Sequence, residues 1–308
     1  MNYNFDNIDI KEKINNNLLD NTYKFSLGCH SYYIDNITKL LEEKKQFNKK
    51  KKIYHILNPL NITINNYENN NIMDIKTKFN EKYGKTFNKQ EYFKIFEIIK
   101  ELNINNKQSI MCFDNYTNEI CTLLNLKCDQ YDINNLQKIN KKYDIIFANI
   151  KLKFTTHQEQ SLYPFLINIV SCLKYLNDKS IFIVKLYNIL TSETLSLINT
   201  LFSLFDKKSF YIPFTCEIYK NEKYLICKNL NSNKLKNISS IHEIKYKITN
   251  KLKKIIVKMN IELIVKQTSY INFVVDYIQK KNYFSTDYEK YLKIQIEKSD
   301  FWSNYYLK

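Results

Sequence analysis

From about residue 109 the chain alternates short apolar runs with stretches of helical periodicity. SIMCF (109–113), YDIIFA (143–148) and IFIVKLY (181–187) are apolar almost throughout, and each is too short to be a helix of ordinary length. They predict strands buried on both faces. Asn118 to Leu126, Gln158 to Tyr175 and Ser192 to Leu204 carry apolar residues at helical spacing and predict the helices between them. SFYIPF (209–214) and YLICK (224–228) lie close together and predict a closing antiparallel pair. Buried strands that alternate with helices imply an α/β fold, its sheet mostly parallel with an antiparallel end.

The flanks read differently. Asn88 to Leu102 predicts a helix, with Asn88 and Glu91 spaced as a capping box. Residues 1 to about 80 are polar and rich in Asn. They hold a turn and helix in YKFSLGCHSYYIDNITKLLEE, the basic run Lys49 to Lys52, and a strand-like KIYHILNPLNI with a turn at Asn58-Pro59. Beyond residue 230 the pattern is helical. Leu252, Ile255, Ile256 and Met259 share one face, as do Ile271, Val274, Val275 and Ile278, and Thr286 with Glu289 is spaced to cap a last helix. The expected organisation is an N-terminal extension (1–80), an α/β domain (81–230) and a C-terminal helical extension (231–308). The helical extension is a candidate surface for a protein partner.

Composition changes how the charge is read. The 308 residues include 2 Gly, one Ala (Ala148) and no Arg, while Asn, Lys, Ile, Tyr and Phe abound. Such usage follows A/T-rich codons. The net charge of +16 suits a polyanion such as nucleic acid, although drift toward Lys accounts for part of it. The seven cysteines form no C-x-x-C pair and the four histidines are scattered, so no metal site is expected. This cysteine usage points to a reducing, cytoplasmic setting. The N-terminus MNYNFDNIDIKEK carries no apolar signal, and no apolar run is long enough for a bilayer, so no membrane association is expected.

Candidate chemistry sits near the strand ends, where open α/β sheets bind ligands. Asn149 follows YDIIFA, Lys185 lies near the end of IFIVKLY, and Glu222 precedes YLICK. Lys94 lies inside an apolar helix with Glu97 one turn later. A lysine at a buried strand end can serve as a base. In a lysine-rich chain each of these positions alone also fits a snorkelling surface residue.

The order of the group resembles the FtsJ-type RNA ribose 2′-O-methyltransferases. FIVKLYNILT is similar to the strand that carries their central lysine, so Lys185 resembles that residue. NEKYLIC is similar to their N-S-E-[KR]-Y-[IV]-V-C segment, so Glu222 resembles its Glu. YFKIFEII resembles a segment of the version found in large cytoplasmic DNA viruses, with Lys94 as the first lysine. KFSLGCHSYYI, IYHILNP and QEQSLYPFLI are similar to further viral segments. The resemblance covers roughly residues 23 to 230. It implies a Rossmann-like methyltransferase sheet, S-adenosylmethionine as cofactor, and RNA, in particular capped mRNA, as partner. Lys185 would be the base toward the ribose hydroxyl, tuned by Lys94, position 149 and Glu222.

The sequence also departs from that family. Its strand-ending Asp is Asn149 here. Its glycine-rich cofactor turn is replaced by FDNYTNEICTLL, which leaves Asp114, Asn115, Asp129 and Asp132 as the candidates for holding the cofactor. Its Ser-Arg pair is Cys216-Glu217. The alternative is therefore a catalytically inactive methyltransferase-fold protein that acts as an RNA-binding or scaffold subunit. An unrelated nucleotide-binding α/β domain is the third reading, with matches arising from biased composition.

Overall fold

The computed structural model describes residues 2–4, 74–133, 136, 139–149, 168–187, 189, 192–216, 222–236, 249–280 and 286–308. The segments around Gly28, around Asn58-Pro59 and from 158 to 167 lie outside these residues. The described residues fall into two compact units.

The first unit holds a seven-stranded sheet. Its strands are β1 (Asn2–Asn4), β2 (Ser109–Cys112), β3 (Lys127–Gln130), β4 (Tyr143–Ala148), β5 (Leu176–Leu186), β6 (Phe205–Tyr211) and β7 (Lys223–Leu230), in the order β1-β6-β7-β5-β4-β2-β3. β3, β2, β4 and β5 pair in parallel. β7 runs antiparallel to both β5 and β6, so β6 shares the direction of the parallel set, and β1 is antiparallel to β6. The sheet is thus mostly parallel with an antiparallel end, the Rossmann-like arrangement implied by the sequence. The chain leaves β2 toward β3 and returns to β4 on the other side of β2. This reversal makes a topological switch point between β2 and β4.

The helices of this unit are α3 (Asn115–Leu123), α4 (Ser192–Leu204), the short α5 (Ser232–Lys236) and the first part of α6 (Asn250–Lys280). Its core joins Met111, Ile146, Phe182, Val184, Leu225 and Cys227 from the strands. Leu195, Ile198, Leu201 and Phe202 of α4, and Leu252, Ile256 and Met259 of α6, complete it. The α6 residues are the face predicted from periodicity. Several boundaries moved. β5 begins five residues before the apolar run, because Tyr143 of β4 pairs with Leu176. The helix after β2 starts at Asn115, three residues before the predicted Asn118. Asp114 caps it by accepting from Thr117 N at 2.9 Å, a signal that apolar spacing does not register.

The second unit contains α1 (Ile75–Tyr83), α2 (Gln90–Glu101), residues 213–216, the later part of α6 and α7 (Thr286–Tyr306). Asp74 caps α1 by accepting from Thr77 N at 2.7 Å, and Gly84 ends it in the left-handed conformation at φ 62°. The capping box expected at Asn88 does not form. Lys89 is the N-cap of α2 and makes no side-chain cap. Phe79 packs on Phe93, Phe96 and Phe87 with ring centroids 4.9 to 5.4 Å apart, next to the buried Trp302.

Glu97 ties this unit together through hydrogen bonds. Its carboxylate accepts from Phe214 N at 2.6 Å, Thr215 N at 2.9 Å, the Thr215 hydroxyl, and Trp302 Nε1 at 2.9 Å. Burial raises its carboxyl from the ordinary 4.5 to about 7, against the pull of those donors. A carboxyl raised on folding stabilises fully below the unfolded value, and that contribution is lost as pH rises through the folded one. The loss is about 3 kcal/mol between pH 4.5 and 7. Urea titrations of wild type and Glu97→Gln over this range should therefore diverge, with the variant lacking that slope. In the first unit, Phe182 is fully buried and stacks on Phe205 at 6.2 Å. Phe182→Ala should cost about 3 to 5 kcal/mol, read as a lower urea midpoint.

Candidate functional site

Strand register explains which side chains meet. Side chains two apart on a strand share a face, and partners in register lie side by side. Cys112 pairs with Phe147 and Ala148 with Val184, so Asp114, Asn149 and Lys185 fall on one face at the carboxyl ends of β2, β4 and β5. Lys185 pairs with Tyr224 across to β7, and Glu222 lies two residues before Tyr224 on that same face. The line runs Asp114, Asn149, Lys185, Tyr224 and Glu222, and it begins at the switch point.

The contacts follow the line. Lys185 forms an ion pair with Glu222, both side chains 2% exposed. The Lys185 ammonium also lies 5.5 Å from the centroid of the Tyr187 ring. Asn149 is held from both sides: Tyr224 Oη donates to its Oδ1 at 3.1 Å, and its Nδ2 donates to Asp114 Oδ1 at 3.2 Å. Asp114 also accepts from the Thr117 hydroxyl at 2.7 Å. Burial raises the Asp114 carboxyl, while Thr117, Asn149 and the positive charge of Lys185 pull it down.

The structure thus brings together three of the positions named from sequence as catalytic, Asn149, Lys185 and Glu222. The fourth, Lys94, is fully buried on α2 and belongs to the second unit, one turn before Glu97. The four cofactor candidates separate. Asp114 turns inward to Asn149 and to the cap of α3. Asn115 accepts from Gln130 Nε2 at 2.5 Å. Asp129 pairs with Lys141 at 2.5 Å and accepts from Tyr143 Oη at 2.9 Å. Burial pushes the Asp129 carboxyl up, but Lys141 and Tyr143 hold it below the usual range. Asp132 is exposed just beyond β3. Sequence reasoning did not single out Tyr224. Its only signal was its place two residues after Glu222, at the start of the predicted YLICK strand.

No family model and no curated protein matches the chain. Among solved structures it is similar to the alphavirus P23pro-zbd, at 18% identity and a TM-score of 0.35 over 43% of this chain. It spans 22% of the length of that chain. It is also similar to the plantazolicin methyltransferase BpumL in complex with SAH, at 10% identity and a TM-score of 0.26 over 62% of this chain and 99% of the other. The fold assignment rests on the sheet itself. Among the described residues no group of His, Cys, Asp or Glu is arranged to hold a metal ion, and no helix is long and apolar enough to cross a membrane.

The ion pair has a direct energetic consequence. Glu222→Ala leaves a buried ammonium without its carboxylate and should destabilise the protein by about 3 to 5 kcal/mol. Lys185→Met combined with Glu222→Leu should recover most of that loss, since both charges are then gone. Chemical denaturation of the two variants beside wild type checks the contrast.

Proposed function

We propose that the protein is an S-adenosylmethionine-dependent RNA ribose 2′-O-methyltransferase of FtsJ type, acting on capped RNA. The observation that carries this reading is the buried Lys185–Glu222 pair, set on the sheet edge where the parallel strands end, in line with the switch point. S-adenosylmethionine, when bound, supplies a sulfonium-activated methyl group. One acidic position, Asp132, fits such a cofactor. Asp132 follows the first βα turn by 18 residues (114 to 132), close to the spacing at which an acidic residue reaches a ribose in dinucleotide-binding folds. The turn at Asp114 uses extended backbone, φ −141° and ψ 153°, and so forms without glycine.

In this reading Lys185 Nζ, in its neutral form, would accept the proton that the ribose 2′-hydroxyl gives up on methylation. Glu222 then balances the ammonium so formed. Tyr224 and Asn149 hold the neighbouring positions rigid, and the protein contributes chiefly positioning and charge. The net positive charge of the chain favours an RNA backbone. A second reading, a non-catalytic RNA-binding or scaffold subunit, is favoured by the neutral Asn149 and the glycine-free turn.

Calorimetry with S-adenosylmethionine separates the two. Saturable binding is expected, and a flat titration would remove the enzyme reading. With binding in hand, Lys185→Ala should lower methyl transfer to capped RNA by about 100-fold or more, measured with labelled methyl donor. Unchanged transfer would remove Lys185 as the base.

A further inference from the structure

Asn149 stands where the resemblance leads one to expect an aspartate, and its surroundings explain why an amide fits there. It accepts from Tyr224 Oη and donates to Asp114 Oδ1. A carboxylate could make only the first of these bonds, and it would face the Asp114 carboxylate across a hydrogen-bond distance in a buried setting. Like charges placed so close oppose one another's ionisation. An acidic side chain is therefore present on this face one strand away, at the end of β2 rather than at the end of β4.

We propose that Asp114 is a positioning residue for the site, supplying through Asn149 the negative charge that position 149 lacks. As a statement about catalysis this rests on the reading of Lys185 as the base. Three observations carry it. Asp114 and Asn149 lie just past the ends of β2 and β4, and Lys185 near the end of the neighbouring β5, where the strand register brings all three to one face. Asn149 is hydrogen bonded to Asp114 by the one group, Nδ2, that an aspartate would not have. The positive charge of Lys185 pulls the Asp114 carboxyl down, against the burial that raises it. With Glu222 on the other side, the ammonium formed at Lys185 lies between two carboxylates, one in contact and one relayed. Capping of α3 accounts for the bonds to Thr117, but not for the bond to Asn149.

The test is a charge swap in the full chain. Asp114→Asn keeps the helix cap, because Asn caps about as well as Asp. It should lower kcat for methyl transfer to capped RNA about tenfold, with KM for S-adenosylmethionine and the thermal midpoint close to wild type. Asn149→Asp alone places two carboxylates together and should also lose activity. The double variant Asp114→Asn/Asn149→Asp restores one charge and one amide, and should return to within about threefold of wild type. A double variant no better than either single one would overturn the proposal, as would an Asp114→Asn enzyme with wild-type kcat. If the wild-type protein transfers no methyl group, the proposed function falls and the charge relation is read from the Lys185 Nζ signal by nitrogen-15 NMR. Asp114→Asn should then move its titration to lower pH and the double variant should move it back. A titration unchanged in both would overturn the proposal.

Discussion

A lysine ammonium placed in a protein interior must have a counter-charge, because the cost of removing it from water exceeds what packing returns. Lys185 meets that demand through Glu222, and much of the first unit follows from it. The pair requires β7 to lie against β5 in antiparallel register, so that the residue two before Tyr224 reaches the lysine. That register leaves Tyr224 two residues after Glu222 in sequence and opposite Lys185 in space, where its hydroxyl reaches Asn149. Glu222 thus has a structural reason to be where it is, in addition to any chemical one.

The second unit solves a similar problem by other means. Glu97 is also a buried carboxyl group, and four hydrogen-bond donors hold it. Two come from backbone N–H groups and one from the indole of Trp302, so one side chain of α2 holds both the 213–216 turn and α7. Beside it Phe79, Phe93, Phe96 and Trp302 supply the apolar area. Hydrogen bonds give this unit direction and aromatic burial gives it cohesion.

The scarcity of glycine is absorbed locally. α2 and α3 are each followed by an Asn in the left-handed region, Asn103 at φ 52° and Asn125 at φ 53°, where many helices use glycine. Asn tolerates that conformation better than other residues with a side chain. The biased composition therefore leaves the helix ends intact, and the turn after β2 avoids the need for glycine through its extended backbone.

Apolar runs and their spacing determined the α/β class, the five strands β2, β4, β5, β6 and β7, and the face of α6 that meets the core, because burial leaves little choice of residue type; the polar, half-exposed β3 (KCDQ) carried no such signal. Residue order also determined that Asn149, Lys185 and Glu222 lie at strand ends. Their meeting depended on strand register, which no local pattern records, since pairing joins residues about 40 positions apart along the chain. The same holds for Asp114. Its sequence context suggested a cofactor ligand, and only the alignment of β2 beside β4 turned its carboxylate toward Asn149. Lys94 shows the other limit: its helix was legible from spacing, but its membership of the second unit was decided by packing on α1 and α7, elements whose contacts no periodicity within α2 reveals.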